Sequence, residues 1–165
     1  MYLSSGEKRK LIGRIEKGHN FYEGNTLVKQ PTYDVEVLNI QIVDGDTHKM
    51  IVDPGWSIRI DVTSRIVGID APEKNTLAGQ LVLKVAKLWL TEGRYRFTSH
   101  VLDMYGRSIG DLYRPDKTDL TYAGFMLAHK LVKPYDGKGK RAPWTSKELA
   151  EGVRLCNQIL EDGVV

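Results

Sequence analysis

The sequence predicts an α+β domain in which a small five-stranded barrel carries about three helices. Three observations predict it. Apolar residues alternate with period two from Tyr33 to Val62, and two later stretches, near 76–90 and 120–130, switch to helical spacing. The chain then ends in an amphipathic segment with a complete N-terminal helix signal. With 165 residues, 41% of them hydrophobic and 27% charged, one domain of this kind buries a sizeable core.

Residues 1–32 are rich in Lys, Gly, Glu and Asn and poor in apolar positions, so they form an appendage of uncertain order ahead of a domain spanning 33–165. Only Leu11, Ile12 and Ile15 hint at a short helix from Glu7 to Lys17. In the first barrel strand, Tyr33, Val35 and Val37 share one parity, and Leu38, Ile40 and Ile42 share the other. That switch requires one inserted residue, a β-bulge. Thr47 to Val52 and Trp56 to Val62 follow as strands about Asp53-Pro54-Gly55, a turn in which Pro fixes φ. Arg65 to Ile69 continues the sheet, with Gly68 allowing a close approach. Pro72 holds Ala71 extended and ends the strand.

Leu77, Leu81, Val85 and Leu88 repeat at helical spacing from Thr76 to Leu90, and Gly93 supplies a stop. Arg94 to Leu102 and Arg107 to Tyr113 are two more strands, and Leu120 to Lys130 is a second helix capped by Thr118 or Asp119. In the final helix, Thr145 and Glu148 form a capping box, the apolar stripe is Leu149, Val153, Cys156 and Leu160, and Gly163 ends it. Five strands with helices after the third and fifth, plus a terminal helix, describe an OB-fold barrel.

Composition removes several functions. A formal charge of +3 is too mild for a histone-like binder. Cys156 is the only cysteine, which excludes an internal disulfide and a thiolate zinc cluster, and its place in the stripe makes it a core residue. His19, His48, His100 and His129 make no ligand-spaced pair. There is no run long enough to span a bilayer and no apolar signal segment near the start.

Three segments carry chemistry in order: Val43-Asp44-Gly45-Asp46-Thr47, then Arg65 to Glu73 (RIVGIDAPE), then Asp103-Met104-Tyr105-Gly106-Arg107. They set carboxylates suited to a hard divalent cation beside arginines suited to a phosphate. This ordered set, VDGDT, R-x4-D-x-P-E and D-x-Y-G-R, resembles the staphylococcal nuclease (thermonuclease) family from about Tyr33 to Tyr135. The resemblance implies an OB-fold nuclease that uses Ca2+ or another divalent cation and hydrolyses DNA and RNA with little sequence preference, leaving 3′-phosphates.

Carried over residue by residue, the resemblance makes Asp46, Asp70 and the carbonyl of Ala71 the metal ligands. It makes Arg65, Arg107 and the general base Glu73 the catalytic groups. Tyr105 would bind a substrate phosphate, Tyr135 would flank a base, and Lys133 would join the Gly137 to Arg141 stretch as a basic rim favouring single strands. Asp44 and Thr47 would support the turn. Met104 stands where the staphylococcal enzyme has a phosphate-holding lysine, and the stretch from Glu73 to Arg107 is shorter than in that enzyme. The competing expectation is a catalytically silent OB-fold module that binds nucleic acid or protein; both arginines and all three carboxylates argue against it. A nuclease without an export signal is expected inside the cell, where its danger to the host suggests a phage or mobile-element origin.

Overall fold

The computed structural model describes residues 21–23, 26–28, 33–90, 94–115 and 121–163. The helix expected at Glu7–Lys17, the stop at Gly93 and the caps at Thr118 or Asp119 lie outside these residues. The chain divides into two units, Met1–Thr32 and Tyr33–Val165. In the first, β1 (Phe21–Glu23) pairs antiparallel with β2 (Thr26–Val28).

The second unit is a closed barrel of β3 (Tyr33–Asp44), β4 (Thr47–Asp53), β5 (Ile60–Ile66), β8 (Ser108–Tyr113) and β7 (Tyr95–Leu102), in that spatial order. Closure follows from the length of β3. Its second half pairs with β4 and its first half with β7, so one strand joins both edges. The predicted bulge is at Leu38: Val37 faces Val52 and Asn39 faces Ile51, and the unpaired Leu38 side chain is exposed. β5 and β8 run parallel, which requires a long connection between them. Helix α1 (Leu77–Trp89) and β7 supply it. The result is an α+β, OB-like fold with three helices among the described residues.

Several local expectations need correction. The strand expected from Trp56 begins only at Ile60, because Trp56 and Ser57 extend the Asp53-Pro54-Gly55 turn with φ of 55° and 60°. Ile58, in this turn, and Ile60, at the start of β5, are both exposed. The strand expected from Arg65 to Ile69 breaks at Val67-Gly68, and the short strand β6 (Ile69–Asp70) pairs instead with β9 (Lys133–Pro134). Gly68 serves this turn through its φ of 79°, not through a close contact, since a Cβ there would meet nothing within 4 Å. The second helix, α2 (Tyr122–Ala128), is shorter than its apolar pattern, and its cap is Thr121, whose side chain accepts from the N–H of Gly124.

Helix α1 starts where Thr76 accepts from Gly79 N–H, and it buries Leu81, Val82, Val85, Ala86 and Trp89. Leu77, expected in that stripe, is exposed. Helix α3 (Ser146–Asp162) has the predicted capping box and ends at Gly163. Its most buried line is Gly152, Cys156 and Ile159, with Val153 and Leu160 partly buried beside it. These helical faces join Met50, Val52, Ile66, Phe97 and Leu112 of the barrel in one core. Each fully buried large side chain contributes about 1.5–3 kcal/mol of hydrophobic stabilisation. That core is what holds the neighbouring polar turns in place.

Candidate active site

The site begins at the β3–β4 turn. Asp44 accepts from the backbone N–H of Asp46 at 3.2 Å, an Asx contact that holds the turn, while Thr47 donates to Asp46 Oδ1 at 3.0 Å. The buried Tyr122 hydroxyl of α2 donates to the Gly45 carbonyl at 2.9 Å and ties this turn to the helical layer. Gly45 is required for a steric reason: a Cβ there would lie 2.7 Å from both Ala71 Cβ and Val82 Cγ1. That closeness brings the second segment against the first. Ala71 N–H donates to Asp46 Oδ2 at 3.0 Å.

Thr47 pairs with Arg65 across β4 and β5, so the arginine rises beside the same turn. Its guanidinium ion-pairs with Asp46 Oδ2, donates to the Ile69 carbonyl at 3.0 Å and stands 3.8 Å from Asp70 Oδ1. Burial above all, with the charges of Arg141 and Arg107 adding to it, lowers the Arg65 pKa from its ordinary value; Asp70 and Asp44 act in the opposite sense. Asp46 and Asp70 are themselves only 5% and 4% exposed. Burial of two carboxylates demands compensating charge, and Arg65 is the buried part of it. Asp70 Oδ1 is fully enclosed and accepts no hydrogen bond, although Arg141 Nη1 approaches it to 3.1 Å as an ion pair.

Arg107 comes from the β7–β8 turn, which Asp103 organises. One Asp103 oxygen accepts from the backbone N–H groups of Tyr105 and Arg107, each at 2.9 Å, and the other accepts from Arg107 Nε at 2.7 Å. Burial acts to raise the Asp103 pKa, but these hydrogen bonds and the charge of Arg107 outweigh it and hold the carboxyl below its ordinary value. The two terminal Nη groups of Arg107 make no hydrogen bond to the described residues. The Arg107 charge is felt at Arg65, so the third segment lies within electrostatic reach of the first two. Tyr105 is 75% exposed, with Arg107 over its ring at 5.4 Å.

Glu73 is exposed at the approach to α1. Its carbonyl accepts from both the N–H and the hydroxyl of Thr76, at 2.9 and 2.7 Å, and a Cβ at Gly79 would collide with that carbonyl. The backbone of Glu73 is thereby pressed against the first turn of the helix. Tyr135 is drawn to the site by its N–H, which donates to the Gly68 carbonyl at 2.9 Å, and its hydroxyl donates to Gly139 at the same distance. Lys133 shares the neighbourhood through its backbone, paired with Asp70, but its ammonium points elsewhere. It holds Glu148 at 2.8 Å and the Pro143 carbonyl at 3.1 Å and covers the Trp144 ring.

The structure therefore brings Asp44, Asp46, Thr47, Arg65, Asp70 and Ala71 into direct contact, joins Tyr135 to the neighbouring Gly68, and sets Arg107 where its charge acts on Arg65. It leaves Glu73 and Tyr105 exposed and commits the Lys133 side chain to Glu148 of α3. Arg141 is the site residue that sequence reasoning passed over. Its signal was only its membership of the basic Gly137 to Arg141 stretch, where nothing marks it out from Lys138 or Lys140.

The oxygen donors that could hold a cation here are Asp46, Asp70 and the Ala71 carbonyl. Among the described residues no group of three or more His, Cys, Asp or Glu side chains is gathered for a metal, so the carbonyl would have to complete the set. Also among these residues, no helix is long and apolar enough to cross a membrane.

The chain matches no protein-family model. It is similar to an uncharacterized endonuclease of Escherichia coli O157:H7 and to another of Escherichia coli, each 32% identical over 83 residues. The similarity covers 50% of this chain and 51% of each relative, so the chain spans about half the length of the curated relatives it matches.

Proposed function

We propose that this chain is a divalent-metal-dependent nuclease of the thermonuclease type, hydrolysing phosphodiester bonds of DNA and RNA with little sequence preference and favouring single strands. The observation that carries this reading is the meeting of Asp46, Arg65, Asp70 and Ala71 in one buried cluster, with the charge of Arg107 acting on Arg65. The similarity to two proteins called endonucleases supports the same class of chemistry. A calcium ion suits the donor set, because carboxylates and a carbonyl are hard oxygen ligands and Asp70 Oδ1 is a buried carboxylate oxygen partnered by ion pairs with Arg141 and Arg65 rather than by hydrogen bonds.

When bound, such an ion would neutralise charge on the phosphate and raise the acidity of nearby water. The remaining chemistry falls to the chain. Glu73, exposed and reachable by water, accepts the proton of the attacking water as its oxygen bonds to phosphorus. The bond to the 5′-oxygen breaks, that oxygen takes a proton from solvent, and the 3′-side keeps the phosphate. Arg107 offers its Nη groups to the equatorial oxygens, whose charge grows as the water adds. Arg65, held by Asp46 and Ile69, keeps a fixed positive charge under the same centre. The basic loop with Tyr135 would meet the bases and backbone of an unpaired strand.

The test is digestion of circular single-stranded DNA and of RNA by the full chain in CaCl2 and in EGTA. Cutting in calcium that stops in EGTA, with 3′-phosphate ends on the products, is the expected result. Tight nucleic-acid binding with no cutting in calcium, magnesium or manganese would show a silent binding module and end the proposal.

A further inference from the structure

That reading gives the basic loop a role as a whole but does not account for the contact that Arg141 alone makes with Asp70. Its Nη1 lies 3.1 Å from Asp70 Oδ1, the buried oxygen that accepts no hydrogen bond. The two arginines that share Asp70 differ in how they are held. The Arg65 side chain is 8% exposed and bound to Asp46 and to the Ile69 carbonyl, whereas that of Arg141 is 45% exposed. Their like charges oppose each other across the carboxylate. A cation arriving at Asp70 would displace the guanidinium that solvent can receive, and Arg65 would stay.

While it rests on Asp70, Arg141 also lies beside an aromatic ring. The Tyr135 ring lies 6.0 Å from its guanidinium carbon, and Tyr135 is tied both to Gly68 and to the Gly139 carbonyl of the Arg141 loop. A guanidinium released from Asp70 therefore stays beside the site. A planar fork of donors in that place fits a phosphate.

We propose that Arg141 is a displaceable counter-cation: it rests on Asp70 while the acidic pair lacks a metal, yields that oxygen to an entering divalent cation, and then binds a phosphate of the substrate strand. This rests on the nuclease reading above and adds a coupling to it. Loading of the cation creates part of the nucleic-acid site. Calcium should thus strengthen substrate binding through a residue that is not itself a metal ligand.

The test uses the full chain and three variants, Arg141→Gln, Arg141→Lys and Lys140→Gln. The last removes the same charge from the neighbouring position. Calorimetric titration with CaCl2 should show Arg141→Gln binding calcium about 3- to 10-fold more tightly than wild type, with Lys140→Gln changed less than about twofold. A single-stranded oligonucleotide carrying uncleavable phosphorothioate linkages should bind Arg141→Gln about 5-fold more weakly than wild type in calcium, and equally well in EGTA. Arg141→Lys should keep wild-type calcium affinity and yet share the loss in oligonucleotide binding, because it keeps the charge and lacks the fork.

Equal or weaker calcium binding by Arg141→Gln, or the same shift in Lys140→Gln, overturns the proposal. If cutting by wild type still depends on calcium in that event, the nuclease reading stands without it. Cutting that persists in EGTA, with no calcium bound by any variant, overturns both.

Discussion

Gly45→Ala tests whether the turn that carries Asp46, the proposed cation ligand, is positioned by packing. The added methyl would lie 2.7 Å from Ala71 Cβ and 2.7 Å from Val82 Cγ1, well inside carbon–carbon contact at about 3.5–4.0 Å. Either the turn or the Ala71 backbone must move by roughly 1 Å. Ala71 follows a β-strand and precedes Pro72, and Val82 is fully buried in α1, so the turn is the part that yields. Its movement stretches the Ala71 N–H bond to Asp46, now 3.0 Å, and the Tyr122 bond to the Gly45 carbonyl, now 2.9 Å.

Overpacking costs about 1–3 kcal/mol and weakening a buried bond to a charged acceptor about 1 kcal/mol more, so roughly 2–4 kcal/mol in all. For a domain of this size that lowers the melting temperature by about 5–15 °C. Thermal unfolding by circular dichroism gives the stability, and calorimetric CaCl2 titration gives the accompanying loss of affinity. The double variant Gly45→Ala/Ala71→Gly removes one of the two clashes and should recover about 1 kcal/mol beyond additivity. No left-handed backbone is involved at Gly45, so the effect is steric alone. A Gly45→Ala protein that melts with wild type and binds calcium equally well would refute the packing argument.

Three other outcomes follow from the geometry. Arg107→Gly removes the guanidinium that Asp103 aims and should lower kcat about 10²–10³-fold with the circular dichroism spectrum unchanged, whereas near-normal turnover would remove Arg107 from the mechanism. Cys156 is fully buried and burial pushes its thiol up to about 11 from 9.0, so the native protein should resist Ellman's reagent until it is unfolded. Because the folded state then holds a proton that the unfolded state releases, this group's stabilisation is complete below pH 9 and about 2–3 kcal/mol is lost between pH 9 and 11. Urea unfolding across that range should show the loss, and Cys156→Ala should be flatter; an identical slope in the two proteins would contradict the assignment.

Features set within a few residues of themselves were legible in the chain before it folded. Thr145 and Glu148 cap a helix because each reaches the other's backbone across one turn, and the parity switch at Val37-Leu38 can be absorbed only by leaving one residue unpaired. The three motif segments carry their carboxylates and arginines openly, each within a few residues of a turn. Short-range expectations failed where the rival conformation was also local and close in energy. Trp56 and Ser57 have strand-like neighbours and adopt a left-handed turn, and Thr121 caps a helix whose apolar pattern begins earlier.

Which distant residues meet was settled by the assembled barrel and its helices. Barrel closure through the two halves of β3 and the parallel pairing of β5 with β8 set Arg65 beside Asp46, with Arg107 within reach of its charge. The β6–β9 ribbon then returns the basic loop so that Arg141, rather than Lys138 or Lys140, falls on Asp70. Such meetings between distant segments depend on strand register, helix packing and the volume available at a Gly45 or a Gly79. They are properties of the whole core acting at once, so no window of sequence contains them.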